Sequence, residues 1–165
     1  MFRRVDLPAR MPGKLLLHSM PGRFEGIENV WHHVRSEAVS AIVCLAESYE
    51  IRLKSSAYAE ALEVGTVPCY VLPFEIPEGG VPQDRDGFWA LANEVAERLR
   101  SGEVVLIHCA GGLGRTAMLA ISVLLALGEP IAEAESAVSR AGSIVETMPQ
   151  MEMLSWCAAK MNGES

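Results

Sequence analysis

The sequence has no apolar run near the ~18 residues that a bilayer span requires. Its longest, Ala117 to Leu127, has the length of a buried helix. The amino-terminal stretch carries arginines first and a leucine run later, without the long apolar segment or small-residue cleavage site of a secretory signal. A cytoplasmic protein without a membrane partner is therefore expected. Basic residues are in deficit: 14 Lys and Arg face 21 Asp and Glu, a formal net charge of −7. That balance argues against nucleic acid and anionic membrane surfaces as main partners. Any attraction for an anionic ligand must then be local. The four cysteines, Cys44, Cys69, Cys109 and Cys157, show no paired metal-ligand spacing, so no metal or cofactor is implied. Repeats, low-complexity tracts and linkers are also lacking. At 165 residues the chain is expected to be one domain, 1–165, with its core at about 14–161. The pattern says nothing about oligomeric state.

What is present is an alternation of strands and helices. Lys14 to His18 reads as a strand and Met20 to Arg23 as a turn. Ile27 to Glu37 reads as a helix, and Val39 to Leu45 as a strand. The spacing predicts a helix over Ile51 to Glu63, then a strand over Val67 to Phe74. A Pro/Gly loop at Pro77 to Pro82 follows, and then an amphipathic helix from Asp84 to Arg100 stopped by Ser101-Gly102. Glu103 to Ile107 is a buried strand and Ala117 to Leu127 a buried helix, with further helices near Ile131 to Arg140 and Gln150 to Met161. The alternation predicts an α/β fold with a central, mostly parallel sheet flanked by helices. In such sheets ligands bind beyond the carboxyl ends of the strands.

One segment lies at such a point. His108-Cys109-Ala110-Gly111-Gly112-Leu113-Gly114-Arg115-Thr116 joins the buried strand to the buried helix. Unpaired N–H groups at a helix start and along a glycine-rich loop form an anion cradle. The same field favours a cysteine thiolate and predicts a lowered Cys109 pKa. A thiolate in a phosphate-sized cradle is a nucleophile aimed at phosphorus. Arg115 offers a planar fork for two phosphate oxygens. The cradle is predicted to comprise Ala110, Gly111, Gly112, Leu113, Gly114 and Arg115. The alternative is a buried structural cysteine beside a flexible turn.

His108-Cys109, five residues, then Arg115-Thr116 resembles the signature of cysteine-based protein tyrosine and dual-specificity phosphatases. The pattern is similar to small archaeal and bacterial members and to cyclin-dependent kinase inhibitor-associated phosphatases, whose loop reads GGLGR or GGIGR. The likeness extends in pattern from Leu15 to Ala158, but only the loop is highly specific. It implies a metal-independent phosphomonoesterase acting on phosphorylated protein, phosphotyrosine or dual-specificity, through a phosphocysteine on Cys109. Arg115 would bind the phosphate, and the Thr116 hydroxyl would stabilise the departing thiolate, though Thr116 also suits a first helical turn. His108 reads equally as a loop-orienting or a satisfied buried histidine.

The resemblance also implies a general acid. Relatives carry an IPDGGVP-like segment whose Asp supplies the proton; here Ile76 to Pro82 places Glu78 at that position. Asp84 and Glu47 are competing carboxylates. Asp84 equally suits a helix cap, and Glu47 matches a catalytic Glu of archaeal relatives or a solvated loop residue. Ser143 to Gln150 matches a segment whose Gln orients the hydrolytic water, which makes Gln150 the candidate and leaves the role of Glu146 open. Arg23 would line the pocket or lie free on the surface. Cys44 is either a small buried hydrophobe or a disulfide partner for oxidised Cys109. Two other readings stay in view: a phosphate-binding pseudophosphatase or adaptor, and a phosphatase of a small non-protein phosphoester. An arsenate-reducing or sulfur-transfer enzyme fits less well, since relay cysteines are missing and the loop ends in Arg-Thr.

Overall fold

The computed structural model describes residues 1–163. Its five-stranded sheet has the order β1-β2-β5-β3-β4, from β1 (Arg3–Val5), β2 (Lys14–His18), β3 (Val39–Cys44), β4 (Tyr70–Pro73) and β5 (Val104–His108). All pairs are parallel except β1 with β2. The three inner strands are nearly continuous apolar runs because helices cover both faces. Successive side chains alternate between the two layers. Leu15, Leu17, Val43, Val105 and Ile107 enter one core, with α4 (Arg85–Arg100), α5 (Gly114–Ala126), α6 (Ile131–Arg140) and α7 (Met148–Met161). Leu16, Ile42, Cys44 and Leu106 enter the other, with α1 (Ile27–Ser36), α2 (Ser48–Lys54) and α3 (Ser56–Val64).

Helix α5 is buried along its whole length. It is apolar all round because α4, α6 and α7 pack about it as well as the sheet. That fixes the start of α5 against the end of β5, the turn that carries Cys109. The carboxyl ends of β3, β4 and β5 are tied together by backbone bonds from Leu45 N–H to His108 O (3.1 Å), Phe74 N–H to Cys44 O (2.9 Å) and Ile76 N–H to Leu45 O (3.0 Å). The loops that leave these strands therefore meet at one edge of the sheet.

The α/β architecture expected from the alternation is present; β4 is four residues, Tyr70–Pro73, where Val67 to Phe74 was expected, and three further differences stand out. The helix predicted over Ile51 to Glu63 is two helices, α2 and α3, broken at Ser55. Ser55 takes an extended conformation (φ −153°, ψ 87°) and its hydroxyl caps α3 by accepting from Tyr58 N–H at 3.3 Å. A serine side chain competes with the helical ladder in this way. Strand β1 was not expected; at three residues it is too short to carry periodicity. Helix α5 starts at Gly114, three residues before the expected Ala117, so Arg115 and Thr116 belong to its first turn.

Candidate active site

The N-cap residue of α5, Leu113, makes no side-chain cap bond. Glu146 takes the Gly114 N–H at 3.1 Å, and the N–H groups beside it at the helix start are left for an anion. Cys109 lies directly beneath, 3% exposed, and Thr116 Oγ1 donates to its sulfur at 3.1 Å. The expected Thr116–Cys109 contact is thus present. His108 is fully buried. Its Nδ1–H donates to the Cys109 carbonyl at 2.9 Å, because a carbonyl only accepts, so Nε2 accepts from Tyr58 O–H at 2.8 Å. Burial draws the imidazole down to about 4 and keeps it neutral. His108 is therefore tied into the loop backbone and has no free nitrogen for proton transfer.

Arg115 is held by a residue that the sequence did not single out. Glu50, on α2, takes a bidentate grip: Arg115 Nη1 donates to Oε2 and Nη2 to Oε1, both at 2.8 Å. Nη1 also donates to Ile76 O at 2.7 Å. Burial pushes the Glu50 carboxyl up, but the Arg115 fork and the Glu47 N–H outweigh it and hold the carboxyl below its ordinary value. Burial draws Arg115 down, and Glu50 and the charge of Cys109 more than reverse that. Among the described residues no further partner meets Arg115 Nε–H or its second Nη2–H. Those two donors form the side-on edge of the guanidinium, a fork matched to two phosphate oxygens. Sequence reasoning took Glu47 from this segment. In the structure Glu47 caps α2, and its N–H is met by Glu50 Oε2 at 2.8 Å. Three residues on, Glu50 is the carboxylate that turns inward.

The segment expected to carry the general acid is latched to the loop before α7. Thr147 Oγ1 donates to Gly79 O at 3.1 Å, and Gln150 Nε2 to Gly80 O at 3.2 Å. Gly79 adopts φ +72° in the turn that Gly80 N–H closes onto Pro77 O at 2.8 Å, a conformation suited to glycine. Glu78 projects at the tip of this turn, 64% exposed, 3.7 Å from Lys54 Nζ. Asp84 accepts from Gly87 N–H at 2.9 Å as the cap of α4, with Glu47, Glu75 and Pro77 lining the same depression. Gln150 is fully buried with both ends of its amide engaged, since Oε1 accepts from Glu146 N–H at 2.9 Å. Its Nε2 keeps a second N–H and its Oε1 a second lone pair beyond these bonds. Glu146 Oε1 accepts from Gly114 N–H at 3.1 Å, at the cradle itself.

Arg23 lies over the Phe24 ring, 4.6 Å from its centroid. Cys44 packs with Tyr58 in the core on the sheet face opposite the one that includes Cys109, and both thiols are free. Burial pushes the thiols of Cys44, Cys69 and Cys157 up to about 11. Among the described residues no three His, Cys, Asp or Glu gather as a metal-ligating group, and no helix is long and apolar enough to cross a membrane.

Comparison with known proteins agrees with this geometry. The sequence model of the family described as cyclin-dependent kinase inhibitor 3 matches residues 63–138. Cyclin-dependent kinase inhibitor 3 of Rattus norvegicus is 35% identical over 83 residues, 48% of this chain but only 39% of that relative's length. Among solved structures, kinase-associated phosphatase with its catalytic-site cysteine replaced by serine superposes with a TM-score of 0.83 at 20% identity, over 100% of this chain and 97% of that one. Tk-PTP in its active form does so with a TM-score of 0.73 at 28% identity, over 96% and 97%. Together with the Cys109–Arg115 loop at the start of α5, these matches make the chain a member of the cysteine-based protein tyrosine and dual-specificity phosphatase superfamily.

Proposed function

We propose that the protein hydrolyses phosphomonoesters on protein side chains, phosphotyrosine and as a dual-specificity enzyme phosphoserine and phosphothreonine, through a phosphocysteine. The observation that carries this reading is the placement of the Cys109 sulfur. It sits beneath the start of α5, receives the Thr116 hydroxyl at 3.1 Å, and shares its cradle with an Arg115 whose side-on fork has no other partner among the described residues. In the first step Cys109 attacks phosphorus, the side-on edge of Arg115 takes two equatorial oxygens, and the ester oxygen leaves with a proton from Glu78. In the second, water attacks the phosphocysteine and gives its proton to the Glu78 carboxylate left by the first step, the P–S bond breaks, and the Thr116 hydroxyl stabilises the thiolate that departs. Both steps use this chain's own side chains, without metal or cofactor.

The loop interior, Ala110 to Gly114, carries no lysine. A polyphosphorylated lipid headgroup would need more countercharge than Arg115 supplies, which favours a singly phosphorylated protein side chain or a small phosphoester. The thiolate chemistry requires a reducing compartment, and a cytoplasmic setting follows from this reading. The test is para-nitrophenyl phosphate hydrolysis in EDTA by wild type and Cys109→Ser, with trapping of the phosphoenzyme. Cysteine-dependent, chelator-insensitive turnover with a labelled Cys109 is expected. A folded wild type that binds vanadate but turns nothing over would replace this reading with a phosphate-binding adaptor.

A further inference from the structure

Arg3 lies on the edge strand β1, more than a hundred residues before the catalytic loop, yet its guanidinium ends there. Nη2 donates to Gly112 O at 2.8 Å, and Nη1 donates to Ala141 O and to Ser143 Oγ, both at 2.8 Å. The buried Ser143 hydroxyl passes its own proton to the same Gly112 oxygen at 2.5 Å. One carbonyl of the cradle is therefore gripped twice from outside the loop, once by a permanent charge. The fit is tight: Gly112 has φ +75°, and a Cβ there would lie 2.6 Å from His18 O and 2.9 Å from Arg3 Nη2.

The direction of that carbonyl decides what the loop offers a ligand. In a trans peptide the C=O and the following N–H lie on opposite sides. A Gly112 carbonyl drawn out to Arg3 and Ser143 turns the Leu113 N–H inward, toward the space in front of Cys109. With a flexible glycine on one side, the same peptide could otherwise rotate. It would then present a carbonyl oxygen where a phosphate oxygen must sit. The Arg3 charge also acts on Cys109: burial draws the guanidinium down from its ordinary value, and the cysteine's charge opposes that.

We propose that Arg3 is a positioning residue for phosphate binding, fixing the Gly112–Leu113 peptide so that the cradle presents an N–H to the ligand. This rests on the reading of the Cys109 loop as a phosphate site. Four readouts test it: the orthovanadate inhibition constant, KM and kcat for para-nitrophenyl phosphate, the pH profile of Cys109 alkylation by iodoacetate, and the melting temperature. The charged and titratable groups about the thiol are Arg115 with Glu50 behind it, Arg3, the neutral His108, Glu146 on Gly114 N–H, and Glu78 on the acid turn.

Arg3→Met is expected to weaken vanadate and raise KM about tenfold or more, with a smaller change in kcat, and to move the alkylation profile to higher pH. Arg3→Lys keeps the charge but cannot hold three acceptors in one plane. It should restore most of the alkylation profile while vanadate stays several-fold weaker. Ser143→Ala should weaken vanadate by a smaller factor. A folded Arg3→Met that binds vanadate within twofold of wild type overturns the proposal, even if its melting temperature falls. If Arg3→Met does not fold, Arg3→Lys and Ser143→Ala decide, and wild-type vanadate binding in both overturns it. A wild type that neither binds vanadate nor turns over substrate is a different failure, that of the functional reading itself, and removes this proposal with it.

Discussion

Glu50 and Arg115 meet head-on, with both guanidinium–carboxylate bonds at 2.8 Å and both residues buried. The carboxylate takes the end of the guanidinium and so turns the remaining edge toward Cys109. It also offsets a cation that burial would otherwise make costly. Removing one partner of a buried pair typically costs about 3–5 kcal/mol. Glu50→Gln keeps one acceptor and loses the charge, so the loss should fall below that range. We expect a lower melting temperature and roughly a hundredfold lower kcat/KM, comparable to losing one oriented transition-state contact. Steady-state kinetics and thermal melts of the same preparation check both. Wild-type kcat/KM in a folded Glu50→Gln would show that Arg115 needs no orienting partner.

Thr116→Ala should separate the two chemical steps. In the proposed mechanism the hydroxyl 3.1 Å from the sulfur stabilises a thiolate, and that thiolate is the leaving group only in the second step. The phosphoenzyme should therefore accumulate, giving a burst of para-nitrophenol followed by a steady rate about tenfold or more below wild type. A uniform slowing with no burst would place the role of Thr116 in helix stability alone.

How much of this was legible in the sequence follows from how local each part is. The run from His108 to Thr116 is contiguous and flanked by an apolar strand and helix, so the proposed nucleophile, cradle and phosphate-binding arginine could be nominated directly. Glu50 and Tyr58 reach the same site from α2 and α3, 65 and 50 residues from their partners, and nothing in the linear pattern couples them to it. The segment after β3 did signal a carboxylate, but two stand three residues apart. Only the fold shows that Glu47 caps α2 while Glu50, one turn on, faces Arg115. The helix break at Ser55 was hidden for a related reason. The apolar spacing continues across it, and a single serine hydroxyl redirects the chain. Strand β1 is visible only once Arg3 and Val5 pair with Leu17 and Leu15.

The acid assignment can be tested through leaving groups. Glu78 stands exposed at the tip of a turn held by Thr147 and Gln150, whereas the Asp84 carboxylate is engaged by Gly87 N–H. Glu78→Gln should slow alkyl phosphates and phosphotyrosine by about a hundredfold and para-nitrophenyl phosphate far less, since nitrophenolate leaves without a proton. Asp84→Ala should cost about 1 kcal/mol of stability as a lost helix cap and leave the leaving-group dependence intact. A steep dependence in Asp84→Ala or Glu47→Gln, with none in Glu78→Gln, would move the acid to that residue.

Glu146 places a carboxylate on Gly114 N–H at 3.1 Å, where a phosphate oxygen would also be drawn. Two anions near one donor repel, so the charge on Glu146 should oppose ligand binding while its oxygen helps hold the loop. Glu146→Gln keeps the acceptor and removes the charge. Vanadate inhibition at pH 7 should tighten several-fold, more at low than at high ionic strength. Weaker binding in this variant would mean that the ionised carboxylate is needed to shape the cradle.

The buried His108 predicts how stability depends on pH. Burial draws the folded imidazole from 6.5 to about 4, while the unfolded chain titrates near the ordinary value. Between those limits the unfolded chain binds a proton that the folded chain does not, so stability falls as pH drops through this window. Above about 6.5 both states are neutral and the effect vanishes; below about 4 both are protonated and the loss is complete. By linkage it amounts to about 3 kcal/mol. Buried carboxylates such as Glu50, held below their ordinary value, add their own loss at the acid end, so the histidine must be isolated by difference. Urea melts of wild type and His108→Asn at pH 7, 5.5 and 4.5 provide that difference. His108→Asn should be less stable at pH 7, where the Tyr58 and Cys109 bonds are intact in wild type, and the gap should narrow steadily toward pH 4.5. A constant gap across the three pH values would mean that the imidazole titrates in the folded protein as it does in the unfolded chain, and that burial does not hold it neutral.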